Sequence, residues 1–177
     1  MIIITGTNDI PQGTRTWSRI HLFRNNFLTN NMQFSKSFGY ALRGILYIAK
    51  MQDEKRKVQI EEIAGSLSVP KHFLGKIMKQ TVKEGLLQST KGPYGGFSLA
   101  TETLSTPLIR LVEIIDGMDQ FNICVLKLKS CDSANPCPLH YEMEEIKGKF
   151  LTVVRETTIG DLITDNKNDF IKSLSTK

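Results

Sequence analysis

IEEIAGSLSVPKHFLGKIMKQTVKEGLLQSTKGPYGGFSLA, residues 60–100, is the stretch that decides the fold. Its first eight residues place Ile63, Ala64 and Leu67 on one face, the spacing of a short amphipathic helix. Ser68-Val69-Pro70 breaks that helix, and Pro70 suits the first position of a second one. Residues 71–84 then carry Phe73, Leu74, Ile77, Met78 and Val82 at helical spacing until Gly85 stops them. Beyond Gly85, two runs that favour β structure, 86–90 and 97–100, flank Gly92-Pro93-Tyr94-Gly95-Gly96, the pattern of a hairpin with a glycine-rich tip. Two short helices joined by a tight turn, followed by a hairpin, predict a winged helix-turn-helix.

Such a unit needs a rigid second helix with one face packed and the other free for a major groove. Phe73, Leu74, Ile77 and Met78 are the expected packing face, which leaves Lys71, His72, Lys76 and Lys79 outward. Lysines so placed neutralise phosphates, and His72 and Lys76 lie early enough to reach base edges. In the wing, glycine lets the backbone approach phosphates closely at Gly95. Lys91 is placed to enter a minor groove and Tyr94 to meet the sugar-phosphate backbone. The bland alternative is a solvated lysine face beside an ordinary turn; the ordered combination of both helices and the wing weighs against it.

Outward from the centre, residues 37–49 repeat Phe38, Ala41, Leu42, Ile45, Leu46, Ile48 and Ala49 at spacings of three and four, a further helix. DEKRK at 53–57 is a charged connection. On the other side, Pro107 and Leu108 open a helix that Asp116-Gly117 closes. A long amphipathic helix runs from about Leu139 to Arg155, and Thr158 with Asp161 three residues on forms a capped start for a short last helix. The fold class is therefore mainly α with a small β-hairpin wing, ending in a long C-terminal helix. The expected organisation is an extension over 1–31, a DNA-binding head over 32–104, a sensor loop with long helix over 105–165, and a tail over 166–177. Residues 1–31 lack periodicity, and Met32 opens the regular sequence as a candidate functional start.

Charge is divided along the chain. Residues 1–31 carry +2, residues 32–100 carry +6 and residues 101–177 carry −3, within a total of +5. A basic first half beside an acidic second half fits a polyanion-binding module joined to one with another task, or an unevenly charged solvated surface. No run approaches eighteen apolar residues and no basic segment precedes the short apolar start, so neither a membrane span nor an export signal is expected. A cytoplasmic location follows from that reading. Paired acids in a pocket-like setting, a nucleotide-binding glycine motif and a nucleophile elbow are all missing, so an enzyme is not expected.

The three cysteines lie within fourteen residues: Cys124, six residues, Cys131, five residues, Cys137, then two residues to His140. An odd, clustered set argues against a disulfide framework. Thiolates in this number favour an iron–sulfur cluster or zinc, with His140 as a possible fourth donor. Thiol redox chemistry without a metal, and inert cysteines, stay open on spacing alone.

Taken together, SKSFGYALRGILYIA (35–49), residues 60–100, LIRLVEIIDG (108–117) and the Cys-His segment resemble the Rrf2 family of bacterial transcription regulators, with KGPYGGFSLA (91–100) the most specific piece. The resemblance covers residues 32 to about 165. It implies a homodimer on a pseudo-palindromic duplex DNA operator, with crossing long helices. Leu139, Met143, Ile146, Phe150 and Val153 are then dimer-facing candidates, with packing inside the chain as the alternative. It also implies a 2Fe–2S cluster on Cys124, Cys131 and Cys137, with His140 matching the fourth ligand of the family's iron–sulfur regulators. The family's nitric-oxide sensors use an aspartate in the first helix, where this chain has Gly39. Three departures stand out: the first cysteine gap is six residues rather than five, Gly75 replaces a recognition-helix glutamate, and Lys91 replaces a wing arginine. Target sequence is therefore not carried over. A family regulator without a cluster, using thiol chemistry or structural zinc, is the alternative.

Overall fold

The computed structural model describes residues 34–51 and 56–164. The extension over 1–31, the tail over 166–177 and most of the charged connection lie outside them.

Helix α1 spans Lys36–Met51. Ser35 caps it, its Oγ accepting the Phe38 N–H at 3.0 Å. The apolar stripe read from the sequence faces inward, with Phe38, Ala41, Ile45, Leu46 and Ile48 buried. Helix α2, Ile60–Leu67, ends where Ser68 turns left-handed at φ 53°. Val69 N–H then reaches the Ala64 carbonyl at 3.0 Å and Ser68 N–H the Gly65 carbonyl, so the backbone closes the helix without a glycine. Pro70 sits at the N-cap of α3, Lys71–Lys83, one residue earlier than a first helical position. Gly85, at φ 80°, ends α3 with the same backbone pattern: Leu86 N–H bonds the Thr81 carbonyl at 2.9 Å.

The wing is an antiparallel pair, β1 (Leu87–Thr90) and β2 (Gly96–Leu99), registered Leu87 to Leu99 and Thr90 to Gly96. Each strand matches its expected run to within one residue. The structure adds a pairing that the sequence reading left out. Val58 lies antiparallel to Phe97, so the approach to α2 supplies a short third edge to the wing. Val58 is fully buried, which explains an apolar residue directly after a charged stretch.

Helix α4, Leu108–Ile115, buries Leu108, Leu111, Val112 and Ile114. A single 3-10 turn, Asp119–Asn122, leads into the cysteine loop and buries Phe121. Helix α5 spans His140–Glu156. Its end returns to the start of α4: Leu108 N–H bonds the Thr157 carbonyl at 2.9 Å and Ile159 N–H the Thr106 carbonyl at 3.0 Å. The final turn, α6 (Asp161–Thr164), is capped as its sequence predicts, with Thr158 Oγ1 donating to the Asp161 carboxylate at 2.7 Å and accepting the Asp161 N–H at 3.1 Å.

One apolar core runs through α1, α2, α3, the wing base, α4 and the end of α5. Within α5 itself Val154 is the buried residue, whereas Ile146 and Val153 are exposed, as is Leu139 just before the helix. Phe150 is used inside the chain: its ring centroid lies 5.3 Å from Phe34 and 5.8 Å from Phe121. The long helix thus has an apolar side that the described residues leave uncovered. No helix among the described residues is long and apolar enough to cross a membrane.

Candidate functional site

Two regions gather the residues singled out by the sequence. The first is the outer face of α3 with the wing. Leu74, Ile77 and Met78 are buried, while Lys71, His72, Lys76 and Lys79 are exposed, so the two sides of α3 divide as the helical spacing requires. Phe73 departs from the expected packing face. It is 37% exposed and lies edge-on to Tyr40 of α1, because the α1–α3 contact turns its ring to the rim of the core. Lys71 is paired with Glu61 of α2, and the ammonium holds the Glu61 carboxyl below its ordinary range. Among the described residues Lys76 and Lys79 form no ion pair, which leaves their charge available to an anionic partner.

In the wing, Lys91 is exposed and Tyr94 is 95% exposed, the most open large hydrophobic side chain among the described residues. Gly95 is buried instead. A Cβ there would collide with the Thr90 carbonyl oxygen, and the Gly95 N–H is already donated to the Gly92 carbonyl at 2.9 Å. This glycine is demanded by the tightness of the turn. Two residues missed by the sequence reading brace the wing from outside. Gln59 Nε2 donates to the Pro93 carbonyl at 2.9 Å, and Lys57 Nζ to Thr90 Oγ1 at 2.7 Å. The alternation of Lys57-Val58-Gln59, apolar between polar, was the available signal.

The second region is a cleft of about 650 Å³ at the foot of α5, walled by the cysteine loop. Cys124, Cys131 and Cys137, far apart in the extended chain, converge so that their Sγ atoms all lie within 4.8 Å of one another. Cys124 and Cys137 are 3.8 Å apart. His140, the first residue of α5, brings Nδ1 to 3.3 Å from Cys131 Sγ. The loop has local reasons for this shape. Lys127 is left-handed at φ 55°, and its N–H closes a turn on the Cys124 carbonyl at 2.8 Å. Asp132 folds the Cys131–Cys137 segment by accepting the N–H groups of Ala134 and Asn135 at 2.9 and 2.8 Å.

The thiols differ in acidity. Backbone amides of Leu128 and then Leu126 aim at Cys124 and bring it down to about 7. For Cys131, the backbone N–H of Cys137 favours the thiolate, but burial and the thiols of Cys137 and Cys124 outweigh it and push the group up to about 11. Three thiolates this close repel one another unless a cation lies between them. A tetrahedral site with metal–sulfur bonds of about 2.3 Å has edges of roughly 3.8 Å, the spacing of Cys124 and Cys137. The donor set, three thiols and an imidazole, suits a soft or borderline metal or an iron–sulfur cluster. His140 supports this by turning Nδ1 toward Cys131 from a side chain only 11% exposed; its Nε2, on the other side of the ring, is buried without a hydrogen bond among the described residues.

The model of the Rrf2 family, described as iron-dependent transcriptional regulators, matches residues 34–165. A protein of Aquifex aeolicus named as an HTH-type transcriptional regulator is 37% identical over 134 residues, covering 75% of this chain and 92% of that one. The HTH-type transcriptional regulator NsrR of Geobacillus kaustophilus is 28% identical over 135 residues, 76% of this chain and 91% of that one. Among solved structures, CymR, the global cysteine regulator of B. subtilis, superposes with a TM-score of 0.62 at 21% identity, covering 77% of this chain and 99% of that one. T. potens IscR gives 0.61 at 20% identity, covering 78% and 91%. These two structural likenesses establish the winged-helix fold.

Proposed function

The chain belongs to the Rrf2 family of transcriptional regulators, and from that premise we propose that it binds duplex DNA as a homodimer and senses redox, iron–sulfur or nitric oxide status through a 2Fe–2S cluster. In this reading Lys71, His72, Lys76 and Lys79 face the major groove of a pseudo-palindromic operator, while from the wing Lys91 enters a minor groove and Tyr94 meets the sugar-phosphate backbone, on a turn made possible by Gly95. The protein works in the cytoplasm, where its thiols stay reduced.

The observation that carries the sensing half is the convergence of Cys124, Cys131, Cys137 and His140 at one cleft. These four would hold the cluster. When bound, such a cluster supplies reversible electron uptake and reactivity toward oxidants and nitric oxide. The chain's own part is to join that cleft to α5 through His140, and α5 to the start of α4 through the Thr157–Leu108 and Ile159–Thr106 bonds, with α4 in turn packed on α1 of the head. A changed ligand set at the cleft then shifts a population of dimer arrangements, which takes only a few kcal/mol of coupling. Leu139, Ile146 and Val153 suit the dimer contact because they are apolar and exposed. Met143 joins them from the cleft wall and Phe150 from behind.

Anaerobic protein, analysed for visible absorption, iron and sulfide, tests the reading. Visible bands with iron and sulfide in equal amounts, lost in Cys131→Ala, are the expected result. A colourless protein overturns the cluster and leaves the DNA-binding head standing. One observation favours a second reading with a single tetrahedral ion such as zinc: the three sulfurs lie within 4.8 Å, as the corners of a mononuclear site do. Zinc at one per chain in the same analysis would select it, and thiols without any metal would leave thiol chemistry.

A further inference from the structure

The cleft holds an ionisable group that this ligand set does not use, Glu144. His140 turns Nδ1 toward Cys131, so Nε2 points away from the sulfurs. Glu144, one helical turn further along α5, has Oε2 3.6 Å from that Nε2. A separation of four residues puts both side chains on one face of the helix. The imidazole is held in place by burial, whereas the Glu144 side chain is 63% exposed and has room to change rotamer. Asp132, the other carboxylate on the cleft wall, is already engaged by two backbone amides, and Lys147 is donated to the Ile123 carbonyl at 3.0 Å.

A neutral imidazole carries one N–H. It offers a lone pair through Nδ1 only when the proton sits on Nε2, and a buried N–H needs an acceptor. The geometry points to Glu144 as a positioning residue: a rotamer change that closes the 3.6 Å gap lets its carboxylate accept the Nε2–H of His140 and so selects the tautomer whose Nδ1 lone pair faces Cys131. The inference rests on the ligand set proposed above and adds to it a group that touches no metal. An acceptor behind a ligating imidazole fixes the ring and raises its basicity, and its loss weakens metal binding by roughly 10–100-fold.

Cobalt(II) is a suitable probe, because its visible bands report a tetrahedral thiolate–imidazole site without requiring cluster assembly. The reduced full-length chain is titrated anaerobically with cobalt(II), alongside Glu144→Ala, Glu144→Gln, His140→Ala and the His140→Ala/Glu144→Ala double variant. Glu144→Ala is expected to weaken binding about tenfold or more and to shift the bands. Glu144→Gln should recover part of the loss, since the amide oxygen still accepts the Nε2–H. In the His140→Ala background, Glu144→Ala should change nothing. An equal loss in both backgrounds overturns the proposal, because the carboxylate would then act by its field and not through the imidazole. An unchanged Glu144→Ala overturns it alone, with the ligand set intact. Wild-type protein that takes up neither cobalt(II) nor iron and sulfide overturns both. Matching apo melting temperatures across the variants show that folding is not the cause.

Discussion

Val58 and Phe97 exchange both backbone hydrogen bonds, the Val58 N–H to the Phe97 carbonyl at 2.9 Å and the Phe97 N–H to the Val58 carbonyl at 2.8 Å. That pairing ties the entry to α2 directly to the returning strand of the wing. Helix α2 and the wing therefore leave one base, and the contact also requires a glycine at 96, where a Cβ would meet the Val58 carbonyl oxygen at 2.6 Å.

Gln59 extends this brace to the wing tip, although it occupies the N-cap of α2 and gives that helix no side-chain cap. Gln59→Ala removes one hydrogen bond, with a net worth of about 0.5–1.5 kcal/mol. The expected outcome is a fall in DNA affinity of up to about tenfold at fixed salt, with a melting temperature lower by roughly 2–5 °C. Fluorescence anisotropy on a labelled duplex measures the first and calorimetry the second. Unaltered affinity would mean that the Val58–Phe97 pairing alone holds the wing.

Gly95→Ala should damage the wing itself. Its Cβ has nowhere to go among the Thr90 and Gly92 carbonyls, so the turn must open and the Gly95–Gly92 bond is lost. Overpacking of this kind costs about 1–3 kcal/mol. A lower melting temperature together with faster amide exchange at Gly95 is the expected signature; native protection at that amide would contradict it.

The α3 lysines should differ in their salt response. Lys76→Ala and Lys79→Ala are each expected to reduce the slope of log affinity against log salt by about one, with stability unchanged. Lys71 is already paired with Glu61, so Lys71→Ala should do less, and Glu61→Gln should raise affinity by releasing the ammonium. Binding isotherms at four or five salt concentrations decide this. Equal slopes for all three lysine variants would show that the Lys71–Glu61 pair does not restrain Lys71 at the groove.

Asp161 makes one part of the stability depend on pH. Its carboxylate accepts the Thr158 hydroxyl and N–H at 2.7 and 2.8 Å, and these bonds hold it below the ordinary aspartate range. A folded pKa below the unfolded one stabilises the fold in full above the unfolded value and is lost as pH falls through the folded value. Asp161→Ala should therefore melt lower than wild type at neutral pH, with the gap closing below the usual aspartate range. A gap that is constant from neutral to acid would contradict the assignment.

The helices, the wing and the terminal cap were legible because each is a local pattern. Phe38 to Ile48, Ile63 to Leu67 and Leu74 to Met78 repeat at helical spacing, and Thr158 reaches Asp161 within one turn. The candidate ligands were legible as a cluster of residue types. The bracing of the wing by Lys57, Val58 and Gln59 was not read, because three alternating residues are too short a run to mark a strand and their partners lie far along the chain. The partly exposed Phe73 was read as core, because helical phase does not say where the neighbouring helix stops.

By itself, then, the sequence determined the order and kind of the elements and which side of each is apolar, since these depend on residues three or four apart. Only the tertiary structure decided which lysine is already paired, that Gly95 is buried, that Phe150 packs against Phe34 and Phe121, and that three sulfurs and His140 meet at one cleft. Each of those facts depends on how separate elements are laid against one another. That is fixed by the shared burial of many side chains, and no local spacing encodes it.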